Sequence, residues 1–496
     1  LIETHLPILQ ILLPLIAAPL CVLLRDRVAV TVLTIATTWV TFAVSLALMA
    51  TVLQQGPISY ELGGWEPPWG IEYRVDILSA FVLVLVSGIG AIVATWSPAS
   101  ISVELPRYER HYLFYCAYLL CLTGLLGITI TGDMFNVFVF LEVSALSSYV
   151  LISMGKDRRA LTASYSYLIM GTLGATFILI GIGLLYIMTG TLNMADLAVR
   201  LGDVVDTRTV IVAFGFLVVG VSLKMALFPL HLWLPNAYAY APSAVTAFLA
   251  ATATKVSVYL LLRIFFTEFG YDFAFDRMQL WIILMPLALI GIVTASLVAI
   301  FQNNIKRMLA YSSVAQIGYM VLGISFASVS GLTGGIVHLF NHGLMKCALF
   351  LAMGCIVFRT GSVHIDEMRG LGRTMPWTMA AFVAGGLSLI GVPMTVGFIS
   401  KWYLVTAALE QGFWPVAGII LFSSLLALVY VWRVVEVAYF EEPPEVEGEG
   451  SVREAPLSLL IPMWVLVAAI FYFGVTTEWT VGIAQQAAES LLGVVP

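Results

Sequence analysis

A chain of 496 residues that is 60% hydrophobic and only 10% charged, with mean hydropathy +0.99, is not a soluble globular protein. A soluble domain carries about 25% charged residues, so most of this surface faces something other than water. The net charge of −6 identifies no partner, because the charges are confined to loops and a few special positions, and nothing in the composition points to nucleic acid.

Apolar runs of spanning length follow one another at 6–24, 28–53, 77–99, 111–131, 134–154, 163–189, 210–234, 242–265, 279–301, 308–327, 332–358, 377–408, 412–437 and 457–475. These segments, about fourteen, predict an all-α polytopic membrane protein. No linker isolates a second unit, so 1–496 reads as a single membrane domain. The first run, Leu6 to Leu24, follows a Glu and a His rather than a basic stretch. No small-residue cleavage site precedes Arg25, so the run reads as a retained helix rather than a signal peptide. Cys21, Cys116, Cys121, Cys347 and Cys355 lie inside apolar segments without a CxxC pair and are expected to be packing residues. With no phosphate loop and no dinucleotide fingerprint, no cofactor and no metal is expected.

Orientation follows the loop lysines and arginines. One set of alternate loops holds Arg25, Arg27, Arg107, Arg110, Lys156, Arg158, Arg159, Lys306, Arg307, Arg359, Arg369, Arg373 and Arg453. The other holds Arg74, Arg200, Arg208, Arg263 and Arg277. The richer set is expected on the cytoplasmic side of a bacterial cell membrane, which puts both termini outside. The acidic run from Glu441 to Gly450 reads as a solvated loop without chemistry.

Two spans carry breakers: Pro229, with His231 and Pro235 after it, and Gly391 with Pro393, ahead of Lys401. Proline removes a helix hydrogen bond. Freed backbone groups are tolerated in a bilayer only where protein or a wet cavity satisfies them. Two such breaks five spans apart suggest an internal repeat with a site in each half, as against kinks used only for packing.

Of six lysines, Lys156 and Lys306 are expected in loops, whereas Lys224, Lys255, Lys346 and Lys401 interrupt apolar segments. A lysine at mid-membrane costs about 2.5–3.5 kcal/mol, so it persists only when paired, hydrated or working. Glu142 is the acid set deepest in a span and is the expected counter-ion of Lys224. Burial and a nearby carboxylate act in opposite senses on a lysine's hold on its proton. A static ion pair that fixes helix register is the other reading of this pair. His338, His342 and Lys346, spaced i, i+4, i+8, share one helix face. Histidine suits proton transfer. A metal or haem site, or histidines hydrogen-bonded to neighbouring helices, are the competing readings; a metal site lacks an obvious third ligand. His231 is a further candidate member of the polar line.

GDMFNVFVFLEVSALSSYVLI (132–152), KMALFPLHLWLPNAYAYAPSAVTAFLAATATK (224–255), IKRMLAYSSVAQIGYM (305–320), HLFNHGLMKCALF (338–350) and LSLIGVPMTVGFISKWYL (387–404) together resemble the antiporter-like, proton-conducting membrane subunits. These occur in respiratory complex I, membrane-bound hydrogenases and Mrp-type sodium/proton antiporters. The resemblance covers about 77–437, and the wording around Glu142 most resembles the D-type member of the Mrp antiporters. It implies a fold of two inverted five-helix repeats, here 111–265 and 279–437, each with a broken helix. The N-terminal helices 1–110 precede them, and an acidic loop and C-terminal helix, 438–496, follow. It also implies a proton relay in which Glu142 and Lys224 serve the first half. Lys255 is then the connector, His338 and His342 the bridge, and Lys401 the terminal lysine, with Lys346 in a further polar position. Lysine at 401 departs from one complex I paralogue, where glutamate is expected.

The function expected is a proton-translocating subunit of a multi-subunit cation/proton antiporter. Its partners would be other membrane subunits, protons, Na+ and the lipid bilayer, and it would carry out no chemistry of its own. The alternatives are a proton-pumping subunit of a complex I-like or hydrogenase-type redox complex, a quinone-reducing subunit, a structural scaffold, and a solitary antiporter.

Overall fold

The computed structural model describes residues 3–105, 110–442 and 452–494. Arg107 and residues 443–450 of the acidic run lie outside them. In chain order the helices are α1 Leu6–Leu24, α2 Arg27–Gln55, α3 Ile77–Glu104, α4 His111–Ile130, α5 Met134–Ser153, α6 Arg159–Thr189, α7 Met194–Val204, α8 Arg208–Met225, α9 Trp233–Tyr240 and α10 Ser243–Leu262. They continue as α11 Trp281–Ile300, α12 Ile305–Ser325, α13 Val329–Thr360, α14 Leu371–Thr374, α15 Pro376–Ile390, α16 Val396–Glu410, α17 Trp414–Phe440, α18 Leu457–Val475 and α19 Glu478–Leu491. One antiparallel hairpin, β1 Ile58–Glu61 with β2 Glu72–Val75, joins α2 to α3.

Among the described residues, thirteen helices are long and apolar enough to cross a membrane. The fourteenth expected segment is present as two 15-residue helices, α15 and α16, each too short to cross alone. Polar side chains at the loop junctions start many of the spans. Asp26, Asp133, Thr207, Asn304 and Ser328 each accept a hydrogen bond from a backbone N–H of the first turn. Asp76 and Ser79 form a reciprocal capping box at the start of α3. Such caps satisfy donors that the helix itself leaves unpaired.

Two groups of helices mark the inside and the outside, with α5 and α8 intermediate. α3, α10, α12 and α13 are buried on nearly every side, and α10 and α12 form the centre, with 94% of their most apolar stretches enclosed. An apolar helix without a polar face belongs inside a bundle. α1, α2, α6, α11, α17 and α18 form the outside and show leucines, isoleucines and valines such as Leu23, Ile187, Ile283, Leu421 and Ile461 outward. The hairpin, α7 and the amphipathic α19 were not foreseen, because none is a long apolar run. α10 and α13 approach closely at Gly343, where an added Cβ would stand 2.9 Å from Leu85 Cδ1 and 3.1 Å from the carbonyl oxygen of Ala251.

Both expected breaks are present. α8 stops at Met225, four residues ahead of Pro229, and the chain re-enters helix at Trp233. Pro235 lies in the first turn of α9, where no N–H is required of it. α15 stops at Ile390, and Gly391–Thr395 lead into α16, with Pro393 inside this non-helical stretch. Two sequence expectations are corrected. Lys306 is not a loop residue: it is the second residue of α12, 3% exposed, and donates to the carbonyl of Ala241 at 3.2 Å. Arg263 is not a loop residue either, being 7% exposed and paired with Asp76 at 2.5 Å.

Candidate functional site: a line of buried amines

Each helix break creates a carbonyl-rich end inside the bundle, and a lysine sits at each. Lys224 lies in the last turn of α8. That end of a helix carries unpaired carbonyls and favours a cation. Its ammonium is 3.6 Å from Glu142 Oε1 on α5, the acid expected from sequence. The Lys224 side chain is 5% exposed and that of Glu142 25%, so the pair is set at the edge of the core. At 3.6 Å the contact is an ion pair without a hydrogen bond. A cavity of about 20 Å³ adjoins Lys224 and is lined by Ser144, Ser148, Tyr167 and Ser257, room for about one water molecule.

Lys401 is solvated differently. Its ammonium donates to the freed carbonyls of Leu389 (3.1 Å) and Ile390 (2.9 Å) and to Ser424 Oγ (2.8 Å). It also stands 5.1 Å from the centre of the Tyr319 ring, within cation–π range. No carboxylate pairs with it among the described residues. Gly391 makes the site possible in two ways: its φ of +94° suits glycine, and a Cβ there would meet Lys401 Cδ at 3.0 Å.

Between these ends lie the other expected residues, all fully buried. Lys255 on α10 donates to the carbonyl of Ala250 and to Thr254 Oγ1 (3.3 Å). Lys346 on α13 donates to α12, at the carbonyl of Leu309 (2.8 Å) and Ser312 Oγ. The His338 and His342 rings lie parallel with centroids 5.9 Å apart. His338 Nδ1 meets Ser400 Oγ of α16 at 2.8 Å, and its ring is 5.5 Å from Tyr319. Lys255 is within electrostatic reach of His338, His342 and Lys346. Among the described residues, His338 Nε2 and both nitrogens of His342 have no hydrogen-bond partner. No group of three or more histidine, cysteine or acidic side chains suited to holding a metal occurs among the described residues.

α13 thus carries the two histidines from the neighbourhood of Lys255 to that of Lys401. His231 is buried too, but its ring stacks on Phe228 and approaches Tyr311. Nothing places it beside the α13 histidines. Sequence reasoning did not single out Tyr319, Ser312, Ser400 or Ser424. A signal for part of this existed: Ser312, Gln316 and Tyr319 share one face of α12 at i, i+4, i+7.

Residues 131–427 match the model of the family described as NADH:quinone oxidoreductase/Mrp antiporter, TM. Over 487 residues the chain is 43% identical to the N subunit of NADH-quinone oxidoreductase from Desulforudis audaxviator, covering 96% of each. It is 32% identical to the D subunit of the Na(+)/H(+) antiporter from Bacillus subtilis, covering 98% of this chain and 97% of that one. In three dimensions it superposes on a chain of the Mrp complex from Dietzia sp. with TM-score 0.90 at 27% identity, covering 99% and 98%. It superposes equally, at 0.90 and 30% identity over 98% of both chains, on one from the archaeal membrane-bound sulfane sulfur reductase. Matching family motifs across the buried amines and the agreement of the whole helical bundle show that this multi-pass membrane protein belongs to the NADH:quinone oxidoreductase/Mrp antiporter transmembrane family.

Proposed function

We propose that the chain is the proton-translocating subunit of a multi-subunit cation/proton antiporter. Protons move by a relay from Glu142 and Lys224, through Lys255, His338 and His342, to Lys401, with Lys346 tuning the middle of the line. The observation that carries this reading is the way four of the buried lysines, Lys224, Lys255, Lys346 and Lys401, are held. Each is solvated by carbonyls, hydroxyls or one carboxylate at a helix break or on a central helix. The unpartnered nitrogens of α13 lie between them. A scaffold would do without such groups, because isolated charges in a bilayer core are costly.

Neutralising Lys224 or Glu142 changes the field on the next amine, and at close range in a low dielectric that field is strong enough to move a proton. The relay has no direction of its own. Exchange of Na+ against protons through partner membrane subunits supplies it, as the names and multi-subunit settings of the relatives suggest. The repeat division 111–265 and 279–437 belongs to this reading and is supported by the matching breaks. So does the orientation given by the loop charges: arginine-rich loops in the cytoplasm of a bacterial cell, termini outside.

A second reading, a proton-pumping subunit of a redox-driven complex, is favoured by one observation, the 43% identity to a quinone oxidoreductase subunit over nearly the whole of both chains. Isolation of the intact complex separates the two: hydrophilic redox subunits mark the second reading, small membrane subunits alone the first. The relay itself is tested by proton flux in vesicles carrying the reconstituted complex. Lys224→Ala and Glu142→Ala are expected to reduce flux to the vesicle leak; assembled variants with undiminished flux sink the relay and leave the scaffold reading.

A further inference from the structure

The relay leaves unused a set of buried charges at the opposite end of the bundle from the arginine-rich loops. β2 carries Glu72, which is 6% exposed and accepts from Ser59 Oγ (2.6 Å) and Asn193 Nδ2 (2.9 Å). Asp76, the cap of α3, holds Arg263 at 2.5 Å. Arg263 Nε also donates to Tyr259 Oη (2.9 Å), and Tyr259 donates in turn to the carbonyl of Thr129 (2.8 Å). These groups line a cavity of about 370 Å³ between β2, α7 and the end of α10, with Thr267 and Ser490 also on its wall.

Two features single this end out. Lys255, Tyr259 and Arg263 stand at i, i+4, i+8 of one helical stretch, so a polar stripe runs from the relay's connector to the cavity. Beyond Leu262 the α-helix gives way to a π-helical turn, Arg263–Glu268. In an α-helix a residue five positions on lies about 140° around the axis. Hydrogen bonding from i to i+5 instead turns Glu268 round toward the side of Arg263, whose Nη1 donates to Thr267 Oγ1 (3.4 Å). Glu268 is 2% exposed, neither carboxyl oxygen has a hydrogen-bond partner among the described residues, and it is within electrostatic reach of Arg263.

We propose that this cluster is a gated outlet of the first half, in which the Arg263 guanidinium exchanges between Asp76 and Glu268 and opens the stripe from Lys255 to the cavity. A buried guanidinium that leaves one carboxylate is strongly destabilised unless another receives it, and the π-turn holds a second carboxyl within electrostatic reach. When Arg263 sits on Asp76, the stripe is plugged. When it sits on Glu268, Asp76 and Tyr259 face the cavity together and a proton can pass outward. The inference rests on the relay reading and adds an exit that does not run through Lys401.

The test measures forward flux and passive proton leak in vesicles holding the intact complex, with assembly checked by native size. Glu268→Gln is expected to lower flux about tenfold with the leak unchanged, since the plug can no longer leave Asp76. Asp76→Asn combined with Arg263→Gln removes the plug without stranding a charge at residue 76 and is expected to raise the leak, which loss of a purely structural pair would not do. Should Glu268→Gln fail to assemble, Glu268→Asp and the leak of the double variant decide. Normal flux in the Glu268 variant together with a normal leak in the double variant overturns the outlet. If Lys224→Ala stops flux in the same preparations, the relay survives that result; if it does not, the relay itself has failed.

Discussion

Both helix breaks hold a buried lysine, yet they neutralise it by different means. At the first, Lys224 has a carboxylate, Glu142, 3.6 Å away and a small polar cavity beside it. At the second, Lys401 has two freed carbonyls, a serine hydroxyl and the face of Tyr319, but no acid among the described residues. A broken helix can therefore do part of a counter-ion's work. Its last carbonyls are unpaired, and the helix dipole makes that end attractive to a cation. An amine held by dipoles alone can lose its proton without stranding an anion. An amine held by a carboxylate cannot, and so reports its state to whatever is near.

The comparison breaks most readily at the first site. Glu142→Ala strands a buried ammonium and is expected to destabilise the complex toward the lower end of the roughly 3–5 kcal/mol seen when one partner of a buried pair is lost, because a quarter of that side chain is exposed. Lys224→Met added to Glu142→Ala should recover much of this loss in thermal unfolding of the solubilised complex. If the double variant is no more stable than Glu142→Ala, the two residues are not coupled. At the second site Lys401→Met removes a donor from neutral groups, and the expected cost is smaller, about 1–3 kcal/mol, with no acid whose removal rescues it. Equal losses at the two sites would erase the distinction between them.

The smallest effects concern the backbone. Gly391 is left-handed at φ +94°, and so, at the first break, is Ala226 at φ 60°. Gly391→Ala should cost roughly 1–2 kcal/mol from the left-handed backbone alone, and also press on Lys401. Ala226→Gly should change stability by less than about 1 kcal/mol, because relief of strain is offset by the extra freedom of the unfolded chain. Unfolding midpoints of the two variants moving together would show that the breaks are interchangeable.

Much of this was legible beforehand. The spans follow from apolar runs, the breaks from Pro229 and Gly391–Pro393, and the partner of Lys224 from the scarcity of acids in mid-span. Lys306 and Arg263 were misplaced for one reason: both stand at the ends of apolar runs, where hydropathy cannot tell a loop from a buried helix end. Tyr319 and Ser424 went unnoticed because hydroxyl side chains are common in membrane helices and become ligands only when an ammonium arrives beside them. The hairpin and α7 carry no apolar signal long enough to read.

Hydropathy alone fixes that the chain crosses a membrane, roughly where its spanning helices run, and that four amines lie where they are costly, because hydropathy and the price of burying charge are local properties. Only the tertiary structure decided which groups solvate each amine. It brought α13 between α10 and α16, and it ended α10 in a π-helical turn that carries both Arg263 and Glu268. Those outcomes depend on which helix faces meet and on where unpaired carbonyls point, and neither is written in the spacing of residues along one segment.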